Sequence, residues 1–175
     1  MTDLLWFFWI YSFGGYLVER AFAAATRAAH QERKCFLLLP LCPVYGLGML
    51  AVLALPQEWR QGPWMIAAGA AVTTAVEYAV HWAYEVFLGV EFWDYSRVPG
   101  NLQGRVCLPF TLAWGVLTAI TVWFVHPLVS SLAAKIPAAA TFGFLLLFTV
   151  DAVCSARFLW MTHDVEELRV TGWSL

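Results

Sequence analysis

Five long stretches of the chain are almost wholly apolar: residues 4–25, 36–55, 64–88, 106–126 and 138–160. Each is near the roughly 20 residues that cross the hydrocarbon core of a bilayer at about 1.5 Å per residue. The pattern predicts an all-α polytopic membrane protein of five transmembrane helices. The second stretch is uncharged but broken by Pro40 and Pro43, and the fourth contains Pro109 and ends at His126-Pro127. Polar residues gather in a basic loop over 26–35, a short loop over 56–63, a longer one from Glu91 to Arg105, and a loop with Lys135 and Pro137. A single helical domain over 1–160 and a polar tail over 161–175 are expected, with Asp164 and Glu167 spaced to cap a short helix. A cleaved signal would need positive charge before a shorter apolar core. Met1-Thr2-Asp3 precedes a long aromatic run here, so a retained first helix is expected.

The same pattern carries an internal repeat. Leu17-Val18-Glu19 in the first stretch matches Ala75-Val76-Glu77 in the third. Pro40 precedes Tyr45-Gly46 by the same interval at which Pro109 precedes Trp114-Gly115. Spans 1–2 and 3–4 therefore read as two parallel copies of a helix pair, and the fifth span adds a third Val-acid step at Val150-Asp151. Glu19, Glu77 and Asp151 lie about 12–15 residues from the same end of their helices, or roughly 18–23 Å deep at the helical rise. The three acids are expected at similar depth, near the broken starts of spans 2 and 4, whose freed carbonyls need protein or a water-filled cavity around them.

Composition sharpens this. Of 175 residues, 61% are hydrophobic and 13% charged, against about 25% charged in soluble domains. That excludes an ordinary soluble domain, and no nucleic-acid partner is expected. Ten Trp fit two interfacial belts. Charge sidedness orients the chain: Arg20, Arg27, Arg33, Lys34, Arg97, Arg105, Arg157 and Arg169 fall on one face, and only Arg60 and Lys135 on the other. The positive-inside rule then puts the N-terminus outside and the C-terminus in the cytoplasm. Cys35, Cys42, Cys107 and Cys154 form no C-x-x-C pair or zinc spacing, so no metal or cofactor is expected.

The chemistry concentrates on the third span. Thr73, Glu77, His81, Tyr84 and Glu85 fall on one helical face about 120° wide at 100° per residue. An ionised acid at mid-membrane costs about 2.5–3.5 kcal/mol on the insertion scale, so such groups are functional candidates. They must be protonated, paired with arginine (Arg20, Arg105 and Arg157 are at hand) or bound to a cation. Structural ion pairs that fix helix register are the plain alternative. The loop that follows is rich in hydrogen-bonding groups: Trp93, Asp94, Tyr95, Ser96, Arg97, Asn101, Gln103 and Arg105. It reads either as an aromatic interfacial anchor or as a lid that brings Arg105 onto Glu77 or an anionic ligand.

Phe13-Gly14-Gly15-Tyr16-Leu17-Val18-Glu19, Pro40-Leu41-Cys42-Pro43-Val44-Tyr45-Gly46, Glu77 with Glu85, Trp93-Asp94-Tyr95-Ser96 and Asn101-Leu102-Gln103-Gly104-Arg105-Val106-Cys107-Leu108 together resemble the ABC-transporter type IV family of small membrane proteins. The resemblance covers about residues 7–127, and departs from the family where Gly14-Gly15-Tyr16 stands in place of Gly-Trp. It implies a permease. The chain holds no G-x-x-x-x-G-K-[ST] loop, so a homo-oligomer or a separate ATPase or membrane subunit is expected beside membrane lipids. The leading expectation is a bacterial inner-membrane transport protein and not an enzyme. In it Glu19, Glu77, His81, Glu85 and Asp151 form a proton- or cation-responsive site, gated by Arg105 and the 93–101 loop. Two other readings stay open: an intramembrane enzyme acting on a lipid or isoprenoid head group, and a non-catalytic subunit of a larger complex.

Overall fold

The computed structural model describes residues 2–26, 35–165 and 168. Arg27, Arg33 and Lys34 of the basic loop, and Glu167 and Arg169 of the tail, lie outside the described residues, as do the charge count and the cap that rest on them. The helices are α1 (Thr2–Thr26), α2 (Pro43–Leu53), α3 (Trp64–Leu88), α4 (Leu108–Ile120), α5 (His126–Ala133) and α6 (Ala138–Thr162). A wide turn of π-helix, Thr121–Val125, joins α4 to α5, so Leu108–Ala133 runs as one helix of 26 residues. Two strands, β1 (Asn101–Leu102) and β2 (Val106–Cys107), form a small antiparallel hairpin between α3 and α4.

Three boundaries differ from the sequence pattern, and proline accounts for two of them. Residues 36–42 are irregular where a helix is predicted from residue 36. Pro40 and Pro43 each lack an N–H and push the preceding residue out of the helical region, so α2 starts only at Pro43. The fourth span continues past residue 126 to Ala133. Pro127 cannot donate to the carbonyl four residues back. The chain widens by one turn instead, and the His126 N–H reaches the Thr121 carbonyl five residues back. The third difference is the hairpin itself, which no alternation of apolar and polar residues announces.

The helices associate in pairs, α1 with α2 and α3 with α4, and α2 also packs on α3. Each pair closes on a glycine. A Cβ on Gly46 would lie 2.5 Å from the Phe8 carbonyl and would clash with Ser12 Oγ. A Cβ on Gly115 would lie 2.6 Å from the Ile66 carbonyl and 3.0 Å from Ala70 Cβ. Only a residue without Cβ lets the backbones approach this closely. α6 is attached mainly through the irregular segments. Leu37 and Leu41 are buried with Trp9 against Phe144 and Phe148, while Val90 and Phe92 are buried with Leu159 and Leu168. The Trp6 indole donates to Thr141 Oγ1 at 2.9 Å, tying α1 to the start of α6.

Candidate functional site

The third-span face is present as one side of α3, but its residues have different surroundings. Glu77 and His81 are 3% and 4% exposed. Thr73 turns its hydroxyl to the Gly69 carbonyl at 2.7 Å. Glu85 is at the exposed end of the helix.

Glu77 accepts a hydrogen bond on each carboxylate oxygen. Tyr95 Oη–H donates to Oε1 at 3.1 Å, and Trp114 Nε1–H donates to Oε2 at 2.8 Å. Donors to the charged form offset part of the desolvation that burial imposes on a carboxylate. Glu19, also buried, accepts Tyr45 Oη–H at 2.7 Å. The Tyr45 and Trp114 rings meet edge to face at 5.3 Å. An aromatic bridge thus runs from Glu19 through Tyr45 and Trp114 to Glu77, and on to Tyr95, which stacks on Phe110 at 5.1 Å.

Asp151 is engaged elsewhere. Its Oδ1 accepts the Leu38 N–H and its Oδ2 the Leu39 N–H, both at 3.2 Å. Two amides freed by the proline break in residues 36–42 therefore end on an acid of α6. His81 Nε2 lies 2.9 Å from the Trp93 carbonyl, and its ring stands edge-on to the Trp93 indole at 5.1 Å. His81 Nδ1 is buried with no hydrogen-bond partner among the described residues. Arg105 pairs with Glu85 and not with Glu77: Nη2 and Nε donate to Glu85 Oε2 at 2.6 and 3.1 Å. Its Nη1 reaches the Tyr78 hydroxyl at 2.8 Å, and the guanidinium lies 5.1 Å from the centre of the Tyr78 ring. The length of α3 separates these choices, since Glu85 is two turns beyond Glu77 and beside the hairpin.

The loop braces itself. Asn101 Nδ2 donates to the Ser96 and Val98 carbonyls at 3.1 and 2.9 Å, and its Oδ1 accepts the Gly104 N–H at 3.1 Å. Trp93 Nε1–H donates to the Arg105 carbonyl at 2.8 Å. Gly104 has φ +70°, and a Cβ there would lie 2.8 Å from Asp94 Oδ1, so the turn needs glycine twice over. Asp94 accepts the Ser96 N–H at 2.7 Å and the Ser96 hydroxyl at 2.8 Å. Those two bonds, with Arg97 and His81 nearby, hold its carboxyl below the usual range against a weak opposing effect of burial. A lowered folded pKa means that the turn is supported above the unfolded value of about 3.9 and loses that support as pH falls below it. Acid melting curves of the wild-type protein and Asp94→Asn are expected to differ at neutral pH and to converge as Asp94 protonates. Parallel curves throughout would show that the turn holds without the charge.

A cavity of about 180 Å³ adjoins Glu77. It is lined by Tyr11, Gly14, Gly15 and Val18 of α1, Val44, Tyr45, Gly48 and Met49 of α2, Thr73 and Glu77 of α3, and Trp114, Leu117, Thr118, Thr121 and Val125 of the Leu108–Ala133 helix. Tyr11 Oη lies 2.9 Å from His126 Nδ1 at one end. Sequence reasoning weighed Tyr45 and Trp114 only as markers of the repeat, not as partners of the acids. Their signal was available: each is a polar-edged aromatic five residues after a proline and one residue before the glycine that draws the helices together. His126 and Tyr11 carried no such mark.

Leu108–Ala133 and Ala138–Thr162 are each long and apolar enough to cross a membrane, and the chain is a helical, transport-related membrane protein. It belongs to the family described as Putative ABC-transporter type IV, whose model matches residues 6–156. The match extends the resemblance read over residues 7–127 through most of α6, Asp151 included. No curated protein and no solved structure matches the chain.

Proposed function

We propose that the protein is a five-span permease or channel-like subunit in which the Glu19–Tyr45–Trp114–Glu77–Tyr95 bridge forms a proton- or cation-responsive site. Glu77 at the cavity wall carries this reading. A carboxylate 3% exposed, with a donor on each oxygen and an apolar cavity beside it, is poised to change protonation or accept a cation as the cavity changes occupancy. His81 and the Glu85–Arg105 pair hold the 93–105 loop across the adjoining end of α3, where it acts as the gate. Asp151 serves the site indirectly by fixing residues 36–42.

Two observations support the span and repeat arrangement. Phe8 lies eleven residues before Glu19 and Ser12 seven, as Ile66 and Ala70 do before Glu77, and these are the four residues that Gly46 and Gly115 press against. Exposed Trp59, Trp64 and Trp123 gather towards one end of the helices, and exposed Trp82 and Trp160 towards the other. Trp64 and Trp82 are 18 residues apart on α3, about 27 Å at the helical rise, close to the hydrocarbon thickness of about 30 Å. The basic loops then favour the cytoplasm for the hairpin end.

In vesicles loaded with a pH-sensitive dye, an imposed potassium diffusion potential is expected to drive proton flux through the wild-type protein. Glu77→Gln should reduce it to the level of protein-free vesicles. The reading fails if Glu77→Gln and Asp151→Asn both leave the flux at the wild-type rate.

A further inference from the structure

The cavity beside Glu77 has two sides of different chemistry. α1 and α2 give it glycine, valine and methionine with the rings of Tyr11 and Tyr45. α3 and the Leu108–Ala133 helix give it Glu77, Trp114 and three threonines. Among the described residues that line it there is no arginine, lysine or histidine. The one charge this wall can carry is therefore negative.

Its side-chain donors are already engaged. A threonine hydroxyl has a single proton, and each of the three gives it to its own helix. Thr73 donates to the Gly69 carbonyl at 2.7 Å, Thr118 to Trp114 at 2.5 Å and Thr121 to Leu117 at 2.7 Å. The Trp114 indole and the Tyr45 hydroxyl are held by Glu77 and Glu19, and Tyr11 Oη is bonded to His126 Nδ1. An anion entering from water would give up its hydration and find no side-chain donor in return, a loss that burial does not repay. A cation asks for no donor from the wall.

The rings and the shortage of oxygens decide which kind of cation. Magnesium demands octahedral oxygen ligation and calcium takes six to eight oxygens. Apart from Glu77, the oxygens here are threonine and tyrosine hydroxyls already in bonds, and the α1 and α2 side is mostly hydrocarbon. An organic ammonium needs less: a carboxylate for its charge, ring faces for the groups on its nitrogen, and apolar surface for the rest of its body. Tyr45 and Trp114 stand edge to face, at 5.3 Å and 90°, so neither ring is sandwiched by the other. The rim between α1 and the Leu108–Ala133 helix is open, since the lining residues Val18 and Val125 are 40% and 41% exposed and a Cβ on Gly14 would meet nothing within 4 Å.

We propose that the cavity binds a lipophilic organic cation. Its ammonium lies between Glu77 and the Tyr45 and Trp114 rings, and its hydrocarbon body lies along the α1–α2 side. This rests on the reading of Glu77 as a cation-responsive acid given above and names the ligand class of that site.

The test is equilibrium dialysis of the protein in a non-ionic detergent, with protein-free micelles as the blank. The probes are radiolabelled benzyltrimethylammonium and benzylsulfonate, which share an aryl body and a tetrahedral head but have opposite charges. Saturable binding is expected for the cation and none for the anion. Glu77→Gln should weaken the cation at least about thirtyfold, the loss seen when one member of a desolvated charge pair is removed. Gly48→Val fills the cavity from the side opposite the acid, where a Cβ would meet only Thr73 Cγ2 at an ordinary 3.6 Å. It should weaken binding about tenfold, within the range for overpacking, and it keeps the test open should Glu77→Gln not give a monodisperse peak. Equal binding of the two probes, or binding of neither, overturns the proposal. So does displacement of the label by sodium or potassium when N-methylglucamine at the same ionic strength leaves it bound, because the site would then take an inorganic ion. Dialysis involves no membrane and is blind to proton flux. Cation binding that needs Glu77, with flux indifferent to Glu77→Gln, would sink the proton-flux reading alone. Flux that needs Glu77, with no cation bound, would sink this proposal alone.

Discussion

Replacing Gly115 with alanine is expected to destabilise the protein by about 2–3 kcal/mol, at the upper end of the cost of overpacking. The added Cβ would meet the Ile66 carbonyl at 2.6 Å, and backbone has no rotamer to give way. Relief requires α4 to move off α3, which weakens the Trp114 bond to Glu77 one residue away. Gly46→Ala should cost a similar amount, because its Cβ meets the Phe8 carbonyl at 2.5 Å. Thermal denaturation of the detergent-solubilised protein, followed by loss of the monodisperse peak, reads both. A change below about 0.5 kcal/mol, the range of ordinary surface substitutions, would mean that the helix pairs are not locked at these glycines. Gly143→Ala, with open space at its Cβ, supplies the matched control.

Trp114→Phe is expected to cost about 1.5–3 kcal/mol, the range for a hydrogen bond to a charged group. Phenylalanine keeps a ring against Tyr45 but presents no N–H to Glu77 Oε2. Tyr95→Phe removes the donor to Oε1 and should cost a comparable amount. The two losses are not expected to add, since both act on one carboxylate. The diagnostic arm is Glu77→Met, which removes the acceptor and keeps much of its shape. On that background Trp114→Phe should be nearly neutral, because no buried acceptor is left wanting a donor. A full-sized loss in the Glu77→Met background would assign the Trp114 effect to packing alone. Denaturation of the four proteins in the cycle measures the difference.

How much of this could be read from the chain depends on the physics behind each part. The helix over residues 64–88 has the same limits in the pattern and in the structure, since a long apolar run between turn residues leaves little choice. The irregular 36–42 segment was signalled by Pro40 and Pro43, yet its apolar side chains hid it inside a span. Hydrophobicity reports the environment of a segment and not its backbone. The hairpin at Asn101–Cys107 was closed to pattern reasoning because two-residue strands have no period, although Gly104 hinted at a turn. At the site, the face of α3 was legible from spacing alone. The partners were not. Arg105 was a candidate for Glu77 by charge, but reach along the helix gives it to Glu85. Asp151 looked like a third member of an acid cluster by depth, whereas its carboxylate accepts the Leu38 and Leu39 amides. Depth is a single coordinate, and azimuth around the bundle decides which groups meet.

The Asp151 bonds also bear on how the chain is made. Leu38 and Leu39 are separated from their acceptor by 113 and 112 residues of sequence. At about 5–20 residues per second, their amides wait roughly 6–22 s for that carboxylate to be synthesised. In the five-span arrangement proposed above, an unsatisfied backbone group in hydrocarbon costs several kcal/mol, so the segment would have reason to stay at the interface until α6 arrives. The first helix pair, made earliest, would then be finished last.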